Sequence, residues 1–481
     1  MRIVLAASEA VPFSKTGGLA DVAGTLYKEY IARGIDVRLF VPLYQKTREQ
    51  FGSALRNTGM TLDVPVGKAS RPCRVFTAEG YGSSDAGAVY LLDNEELFDR
   101  EELYGPPAGD YPDNDQRFTF FSRAILDVCV RLGAPVDVVH CNDWQTGLVP
   151  LYLKTLYNNA PVVGKALSVL TIHNLGYQGL FPPQTMETTG LGPDLFNPGG
   201  IEFYGQVNFL KAGIVGADII TTVSRTYAEE ILTPESGFGL DGLLSKRKLA
   251  LTGILNGIDY NEWDPLADPH LPQTYTKSAL TGKAACKRAL MEQSGLKGDP
   301  SAPLISFIGR LSAQKGVDLI AEALPALLKT GAKVIIIGRG DERYLTLLQS
   351  LSERFADSFY FCPVFNEPLA HLTYAGSDMF LMPSLYEPCG LGQLIAMHYG
   401  ALPLARKTGG LADTVEDGVT GFLFSDYSAA ALIAAVQRAV SIYERGKAWQ
   451  GMVKKAMSRD FSWENSAGRY LELYTQGLTA R

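Results

Sequence analysis

The sequence predicts an α/β protein of two domains, each built around a doubly wound parallel sheet. Short apolar runs of strand length alternate with helix-length amphipathic stretches along the chain, and this pattern restarts after a polar passage near its middle. The length agrees, because 481 residues exceed what a single hydrophobic core usually holds. Ligands of such sheets bind outside the carboxyl ends of the strands, so we expect function in the loops that follow them.

The apolar runs interpreted as buried parallel strands are rich in valine, isoleucine and leucine. They are residues 2–7, 136–140, 167–172, 218–223, 304–308, 333–337, 359–364, 379–382 and 401–405. Predicted helices lie among them, at residues 19–26, 117–132, 311–328 and 394–399. The pattern indicates no shorter internal repeat and no low-complexity segment.

The domain boundaries follow from a change of composition between Asn256 and Pro303. Two proline-containing segments there, residues 261–265 and 268–272, can continue neither a strand nor a helix. We therefore predict four parts, which are an N-terminal domain over residues 1–255, an inter-domain passage over 256–302, a C-terminal domain over 303–460 and a final segment over 461–481.

Composition and charge exclude several classes of protein. A hydrophobic content of 46% and a charged content of 20% are ordinary for a globular protein and give no case for disorder. The formal net charge of -7 argues against a nucleic-acid surface, which needs a basic face. No run approaches the roughly 18 apolar residues of a membrane helix, and Ser8 and Glu9 interrupt the first apolar stretch, so we expect neither a membrane partner nor a secretory signal.

Cysteine usage predicts a reducing, cytoplasmic environment. The six cysteines are scattered without a CxxC pair, so neither a disulfide framework nor a zinc site is expected; they are Cys73, Cys129, Cys141, Cys286, Cys362 and Cys389. The five histidines are scattered as well, and no GxGxxG motif follows the first strand, so a metal site and a dinucleotide site both lack support.

Lys15, Gly17 and Gly18 follow the first predicted strand and precede a predicted helix. Glycines let backbone N–H groups approach an oxyanion, and the lysine adds a positive charge beside them. The segment is therefore a candidate cradle for a phosphate or a sugar. The alternative is a tight strand-to-helix turn that binds nothing.

Arg310 and Lys315 lie five residues apart on the loop after the predicted strand 304–308. Two cations converging on a diphosphate would stabilise the charge that builds on a departing nucleotide. Solvated surface cations are the alternative, and the position after a strand favours function.

Glu387 and the following backbone of Cys389, Gly390 and Leu391 come after the predicted strand 379–382. The carboxylate suits sugar hydroxyls and the glycine-rich backbone suits a phosphate, which together match a sugar nucleotide. The alternative for Glu387 is a helix N-terminal position, and Cys389 is interpreted as a packing residue because no adjacent histidine could activate it.

His173 and Asn174 end another predicted strand, where their polar groups could bind sugar hydroxyls. Trp144 follows the strand 136–140, and its ring could stack on a sugar or be buried at a capped turn. Asp113 and Asp115 form a D-x-D pattern that could hold a divalent metal, but they precede a helix, so capping explains them better.

Four motifs in this order and spacing resemble the bacterial glycogen synthases and plant starch synthases. They are K-T-G-G-L at residue 15, H-N-L-G-Y-Q-G at 173, G-R-L-S-x-Q-K-G at 309 and Y-E-P-C-G-L-x-Q at 386. The resemblance runs nearly end to end and implies a GT-B fold, in which two Rossmann-like domains face one another across a deep cleft and a C-terminal helix crosses back to the first domain. It also implies retaining transfer of glucose from ADP-glucose to an α-1,4-glucan, with no metal and no pyridoxal phosphate.

The resemblance assigns roles residue by residue. His173, Arg310, Lys315 and Glu387 would be catalytic. The donor would be bound by Lys15, Gly17, Gly18, Asn174, Asn256, Phe365, Cys389, Gly390 and Leu391. The acceptor side would be lined by Glu9, Asp21, Tyr104 and Trp144.

Some positions depart from the family pattern. Gly392, Phe365 and Gln145 stand where relatives commonly have threonine, tyrosine and histidine. Ile395 stands where the E-x7-E transferases have a second glutamate, which favours the glycogen synthase branch. The remaining alternatives are a transferase of the same fold that uses UDP-glucose, a glucan-binding protein without activity, and a pyridoxal-phosphate phosphorylase.

Overall fold

The computed structural model of the chain describes residues 1–82, 87–106 and 109–481. These residues divide into two compact units. The first unit contains Met1–Val223, Ala228–Ile254 and Trp463–Arg481, and the second contains Ser224–Tyr227 and Leu255–Ser462. Among the described residues, no helix has both the length and the apolar composition for a membrane crossing.

The first unit is built on a nine-stranded sheet with the order β12-β11-β7-β6-β1-β2-β5-β4-β3. Its strands are β1 Arg2–Ala6, β2 Asp36–Pro42, β3 Leu55–Val66, β4 Ala69–Ala78, β5 Gly87–Asp93, β6 Val138–Asn142, β7 Leu167–Ile172, β11 Ile219–Thr222 and β12 Leu251–Gly253. A small sheet has the order β8-β10-β9, from Leu180–Phe181, Glu202–Phe203 and Gln206–Asn208 as β8, β9 and β10. The large sheet is parallel except that β4 runs antiparallel to β3 and β5.

The α-helices of the described residues between 18 and 246 lie between these strands. They are α1 Gly18–Ala32, α2 Gln45–Phe51, α3 Glu95–Phe98, α4 Asn114–Leu132, α5 Leu148–Lys154, α6 Thr185–Thr189, α7 Phe209–Gly216, α8 Arg225–Glu230 and α9 Asp241–Lys246.

The second unit is built on a six-stranded parallel sheet with the order β15-β14-β13-β16-β17-β18. Its strands are β13 Leu304–Ile308, β14 Lys333–Ile337, β15 Phe359–Cys362, β16 Met379–Met382, β17 Leu402–Arg406 and β18 Phe422–Phe424. Its helices are α10 Thr281–Gln293, α11 Val317–Lys329, α12 Glu342–Arg354, α13 Glu367–Gly376, α14 Gly392–His398, α15 Gly409–Thr414, α16 Ala429–Tyr443 and α17 Lys447–Ala456. The last helix, α18 Trp463–Thr479, belongs to the first unit.

Buried parallel strands are the elements that the sequence predicts best. Every residue of β7 and β16 is buried, and both have the predicted bounds. Central parallel strands are covered on both faces, so they consist of nearly continuous apolar residues. The antiparallel strand β3 alternates exposed and partly buried residues over much of its length, and its polar character hid it from the sequence analysis.

The segment expected to be an inter-domain passage, residues 256–302, lies within the second unit instead. Its helix α10 packs against α13. The buried Lys283 ammonium donates to the carbonyl oxygens of Ala375 at 2.9 Å, Ser377 at 2.8 Å and Tyr399 at 2.9 Å. A charged group that satisfies three buried carbonyls attaches this segment to the core, which the prolines alone could not reveal.

A chain of buried polar side chains attaches α18 to the first sheet. Tyr30 donates to the Tyr474 hydroxyl at 3.0 Å, which leaves Tyr474 its own hydrogen for Nδ1 of His140 at 2.7 Å. Nε2 of His140 then carries the ring proton and donates to Thr171 at 2.6 Å. The imidazole is therefore neutral, in agreement with burial that lowers the pKa of His140 to about 3.

We expect His140 to make the first unit sensitive to acid. The unfolded chain takes up a proton near pH 6.5 that the folded chain excludes until about pH 3, so this stability is present above pH 6.5 and is lost as the pH falls. One such group removes about 2 kcal/mol of folding free energy between pH 8 and pH 5. The variant His140→Gln, which cannot titrate, should lose that part of the pH dependence in urea unfolding followed by fluorescence.

His173 remains in that variant, and burial lowers its pKa to about 3 as well. Burial raises the pKa of Asp143 to about 7, which acts in the opposite direction, so the informative quantity is the difference between the two proteins. Between pH 8 and pH 5, His140→Gln should lose about 2 kcal/mol less folding free energy than the wild type. An unchanged slope in His140→Gln would show that His140 is not held neutral by the fold.

Candidate functional site

In both units the strand order reverses beside one strand, and several of the predicted site residues, Lys15, Lys315 and Glu387 among them, lie on the loops that leave the sheet there. In the first unit, β1 pairs in parallel with β2 on one side and β6 on the other. In the second unit, β13 pairs with β14 and β16. Adjacent loops diverge above and below the sheet at such a reversal, which leaves a crevice for a ligand.

In the second unit, the loops after β13 and β16 meet through an ion pair. Lys315 Nζ lies 2.6 Å from Glu387 Oε2, and Ser384 Oγ donates to the same oxygen at 3.0 Å. The Glu387 side chain is 6% exposed and that of Lys315 is 26% exposed. Two residues predicted from separate motifs therefore form one partly buried, charge-balanced group.

A glycine sets the approach of these two loops. Gly316 has a φ of +70°, and a Cβ there would lie 2.1 Å from the carbonyl oxygen of Pro383. Leu385 N–H also donates to the Gln314 carbonyl at 2.8 Å. The backbones therefore touch beside Lys315, and this position requires glycine.

The turn that carries Glu387 is also held from behind by two glycines. At Gly409, where φ is +44°, a Cβ would lie 1.9 Å from the carbonyl oxygen of Glu387. At Gly410, a Cβ would lie 2.2 Å from the carbonyl oxygen of Cys389, and the Gly410 N–H donates to Glu387 O at 3.1 Å. Neither glycine is predicted from the sequence to belong to the site.

Cys389 is a buried thiol, as its interpretation as a packing residue requires. Burial raises the pKa of Cys389 to about 12, and the backbone N–H of Asn256 donates to its sulfur. The thiol therefore stays protonated near neutral pH and is a poor nucleophile. The same contact places the backbone of Asn256 against the Glu387 turn.

The remaining predicted residues of the second unit differ in exposure. Arg310 is exposed directly after β13, and Gly390 has a φ of +75° beside the partly buried Leu391. Asn256 is buried, and its Oδ1 has no hydrogen-bond partner within the described part of the chain. Phe365 is 61% exposed, on the loop after β15.

The expectation that the chain has no short internal repeat is wrong. The heptapeptide K-T-G-G-L-A-D occurs at residues 15–21 and again at 407–413. Both copies lie at the start of a helix, α1 or α15, but the aspartate that ends each copy has a different partner. Asp21 pairs with Lys15 at 2.7 Å, whereas Asp413 accepts from the backbone N–H of Thr226 at 3.0 Å and from its hydroxyl at 2.6 Å. The alternation of predicted strands and helices does not reveal this repeat, because it is an identity of seven residues and not a repeated order of elements.

In the first unit, Glu9 organises the segment that carries Lys15. Its carboxylate accepts hydrogen bonds from the backbone N–H of Thr16, from the Thr16 hydroxyl at 3.0 Å and from the Tyr104 hydroxyl at 3.2 Å. Burial raises the pKa of Glu9. A Cβ at Gly17 would meet no protein atom within 4 Å, and Gly18 is the first residue of α1.

The loops after β6 and β7 are joined by Asp143, which the sequence does not predict to belong to the site. Asp143 has a φ of +56°, and its carboxylate accepts the backbone N–H groups of His173, at 2.7 Å, and of Asn174. Burial raises the pKa of Asp143 to about 7. The signal that could have identified it is an Asn-Asp pair at the end of a buried strand.

His173 has a defined tautomer. Asn142 Nδ2 donates to the Ala6 carbonyl at 3.0 Å, so its Oδ1 is the acceptor that faces Nε2 of His173 at 2.8 Å. Nε2 therefore carries the proton, and Nδ1 has the free lone pair. Burial lowers the pKa of His173 to about 3, so the imidazole is neutral near pH 7.

Trp144 is covered by protein rather than presented to a ligand. Its ring packs edge-on against Phe118 at 4.9 Å and lies 5.8 Å from Phe181. At Gly179, where φ is +64°, a Cβ would lie 2.4 Å from the indole. This placement favours the alternative of a buried tryptophan over one that stacks on a sugar.

The two carboxylates of the D-x-D segment form hydrogen bonds with other residues of the first unit. Asp113 forms two hydrogen bonds with Arg100, at 2.7 and 2.6 Å, and Asp115 accepts from the Thr185 hydroxyl at 2.9 Å. Asp113 precedes α4 but makes no side-chain cap hydrogen bond, so the capping explanation is wrong for Asp113, whereas Asp115 Oδ1 accepts the backbone N–H of Gln116 in the first turn at 2.8 Å. The Asp113 carboxylate pairs with arginine instead.

Family models match both halves of the chain. Residues 2–246 match "Starch synthase catalytic domain", and residues 289–455 match "Glycosyl transferases group 1". The glycogen synthase of Thermodesulfovibrio yellowstonii is 48% identical over 98% of this chain and 97% of its own length. That of Syntrophotalea carbinolica is 47% identical over 99% of both.

Solved structures agree with the sequence relatives. The catalytic domain of starch synthase IV from Arabidopsis thaliana, bound to ADP and acarbose, is 32% identical and covers 99% of both chains with a TM-score of 0.90. A sucrose-phosphate synthase from Thermosynechococcus elongatus is 18% identical with a TM-score of 0.62 over 100% of both chains, which shows the fold alone. The predicted GT-B fold class is confirmed by the first match.

Replacing Gly410 should destabilise the second unit, because a methyl group would meet the Cys389 carbonyl. We expect Gly410→Ala to cost about 1–3 kcal/mol, the usual range for overpacking. The matched control is Gly451→Ala in α17, where a Cβ meets nothing within 4 Å and alanine favours the helix by up to about 1 kcal/mol. Urea unfolding of both variants measures the difference, and equal midpoints would contradict the close contact.

Proposed function

Because the chain belongs to the family of glycogen synthases and starch synthases, which are glycosyltransferases, we propose that it extends an α-1,4-glucan with glucose from ADP-glucose. The transfer retains the anomeric configuration and releases ADP. One observation carries the proposal, namely the Lys315–Glu387 ion pair at the strand reversal of the second unit, beside the loop that bears Arg310.

This ion pair supplies both kinds of contact that a sugar nucleotide needs. Glu387 uses one carboxylate oxygen for Lys315 and Ser384, and its other oxygen can accept from glucose hydroxyls. A lysine ammonium has three N–H donors, so Lys315 can bind phosphate oxygens while it keeps its bond to Glu387. Arg310 adds a second cation for the charge that builds on departing ADP.

Neutral polar groups serve the reacting sugar in the proposal. His173 has a pKa too low for proton exchange near pH 7, so we assign it a positioning role in which the neutral ring, held by Asn142, lies beside the glucose. Asn174 and Asn256 add amide contacts. Gly390 and Leu391 offer backbone N–H groups, together with Cys389, and Phe365 offers an exposed ring to the base.

The first unit carries its own set of proposed substrate-binding residues. Lys15 and the backbone of Gly17 and Gly18 bind the donor, and Glu9, Asp21 and Tyr104 line the acceptor side. Lys15 is about half exposed and paired with Asp21, so its ammonium keeps donors for a ligand. The proposal needs neither a metal nor pyridoxal phosphate, since Arg310 and Lys315 supply the positive charge. All six cysteines are free thiols, which supports a cytoplasmic location.

Nucleotide release tests donor, acceptor and activity together. Purified protein is incubated with ADP-glucose or UDP-glucose, each with and without glycogen, and the released nucleoside diphosphate is measured. We expect ADP release that depends on glycogen, with less release from UDP-glucose. Preference for UDP-glucose would overturn the donor, and glycogen retention without release would favour a non-catalytic glucan-binding protein.

Removing either cation of the second unit should slow transfer without unfolding the protein. We expect Lys315→Ala and Arg310→Ala to lower turnover by about 100-fold or more, the range for loss of one group that stabilises transition-state charge. The control is Lys329→Ala, an exposed lysine in the last turn of α11. Near-normal turnover in either variant, with circular dichroism unchanged, would remove that residue from the diphosphate site.

A further inference from the structure

The second unit brings together two histidines and a glutamate that are far apart in sequence. One ligand atom each from His270, Glu367 and His371 lies within 4.8 Å of the others. Glu367 and His371 are four residues apart on α13, so they project from the same face of the helix. His270 comes from the proline-containing loop that precedes α10.

His371 is oriented as a metal-binding histidine is. Its Nδ1 lies 2.8 Å from Asp268 Oδ2, and its ring stacks on Trp263 with centroids 4.0 Å apart and planes 10° apart. With Nδ1–H bonded to the carboxylate, the lone pair of the neutral ring is on Nε2. A carboxylate on the far nitrogen fixes the tautomer and raises the basicity of the ligating one.

The free nitrogen of His371 is the observation that points to a ligand. His371 is 2% exposed, and within the described part of the chain its Nε2 has no hydrogen-bond partner. Asp268 is not the missing partner of Nε2. Its carboxylate already accepts hydrogen bonds from Nδ1 of His371, from the Tyr399 hydroxyl at 2.6 Å and from the His270 backbone N–H at 2.9 Å. A buried ring nitrogen that lacks a partner costs folding free energy unless something binds it.

The cluster is not explained by contacts among its own members. In the described residues, no ion pair joins Glu367 to either imidazole, although the ligand atoms are close. Two ligand atoms on one tetrahedral ion, each about 2.1 Å from it, stand about 3.4 Å apart. Glu367 is exposed and His270 is partly exposed, so an ion can enter from solvent. Small rotations of these two side chains would bring the three ligand atoms to the spacing that one ion requires.

We propose that His270, Glu367 and His371 form a binding site for a divalent transition metal of the zinc and cobalt class. Two imidazole nitrogens and one carboxylate suit these ions, whereas Mg²⁺ and Ca²⁺ prefer all-oxygen sets. The ion joins the His270 loop to the first turn of α13, and its role is structural. The site takes no part in the proposed glucosyl transfer, so the two proposals fail independently.

The experiment uses the full chain without a histidine tag, stripped with a chelator and dialysed, and Co²⁺ as the probe. We expect one equivalent of Co²⁺ to bind with a dissociation constant of about micromolar or below, with visible absorption bands of a four- or five-coordinate ion. Zn²⁺ should displace it, and the thermal midpoint should rise with either ion, because binding to the folded state stabilises it.

Three variants make the assignment specific. His270→Ala and Glu367→Gln should each weaken Co²⁺ binding at least about tenfold, while circular dichroism stays unchanged. The matched control is Glu342→Gln, since Glu342 occupies the first turn of α12 as Glu367 does that of α13. Binding below one equivalent, equal binding in all variants, or displacement by equimolar Mg²⁺ would overturn the proposal.

Discussion

The reversal of strand order beside β1 and β13 is the constraint on which the candidate site depends. β1 and β13 are the first strands of their sheets in chain order but lie inside them, so the chain adds strands first on one side and then on the other, and the loops on the two sides diverge. Lys315 and Glu387 lie on loops that leave adjacent strands at such a point, and Asp143 and Lys15 do so in the first unit. The strand order therefore determines where the functional loops lie, independently of the contacts that their side chains make.

Close backbone packing then holds those loops in position. Gly316 and Gly409 stand where a Cβ would collide with a carbonyl oxygen of the Glu387 loop or of the strand end before it. The ammonium of Lys315 reaches the Glu387 carboxylate because the loops touch without side chains between them. Electrostatics alone would not order two flexible side chains, since a pair of this kind gains little when it is solvated.

The sequence predicts the buried strands and the loops that follow them well, because both depend on local composition. It predicts β2 and the antiparallel strands β3 and β4 poorly, since their polar residues break the apolar runs. Contacts between residues that are distant along the chain are not predicted either. Examples are the hydrogen bonds of Lys283 to carbonyl oxygens of the second unit and the proximity of His270 to His371. Such contacts depend on how elements pack in three dimensions, and a single sequence does not contain that information in readable form.

Buried carboxylates in both units share one task, which is to fix a loop by accepting its N–H groups. Asp143 holds the backbone of His173 and Asn174, Glu9 holds Thr16, and Asp268 holds His270. A carboxylate engaged in this way is oriented and partly neutralised, so it is a poor nucleophile toward a sugar carbon. Glu387 is held by side chains instead of backbone N–H groups, but it is oriented and partly neutralised in the same way, because Lys315 and Ser384 both bind one of its oxygens. The geometry therefore favours Glu387 as a positioned acceptor of sugar hydroxyls over a group that attacks the anomeric carbon.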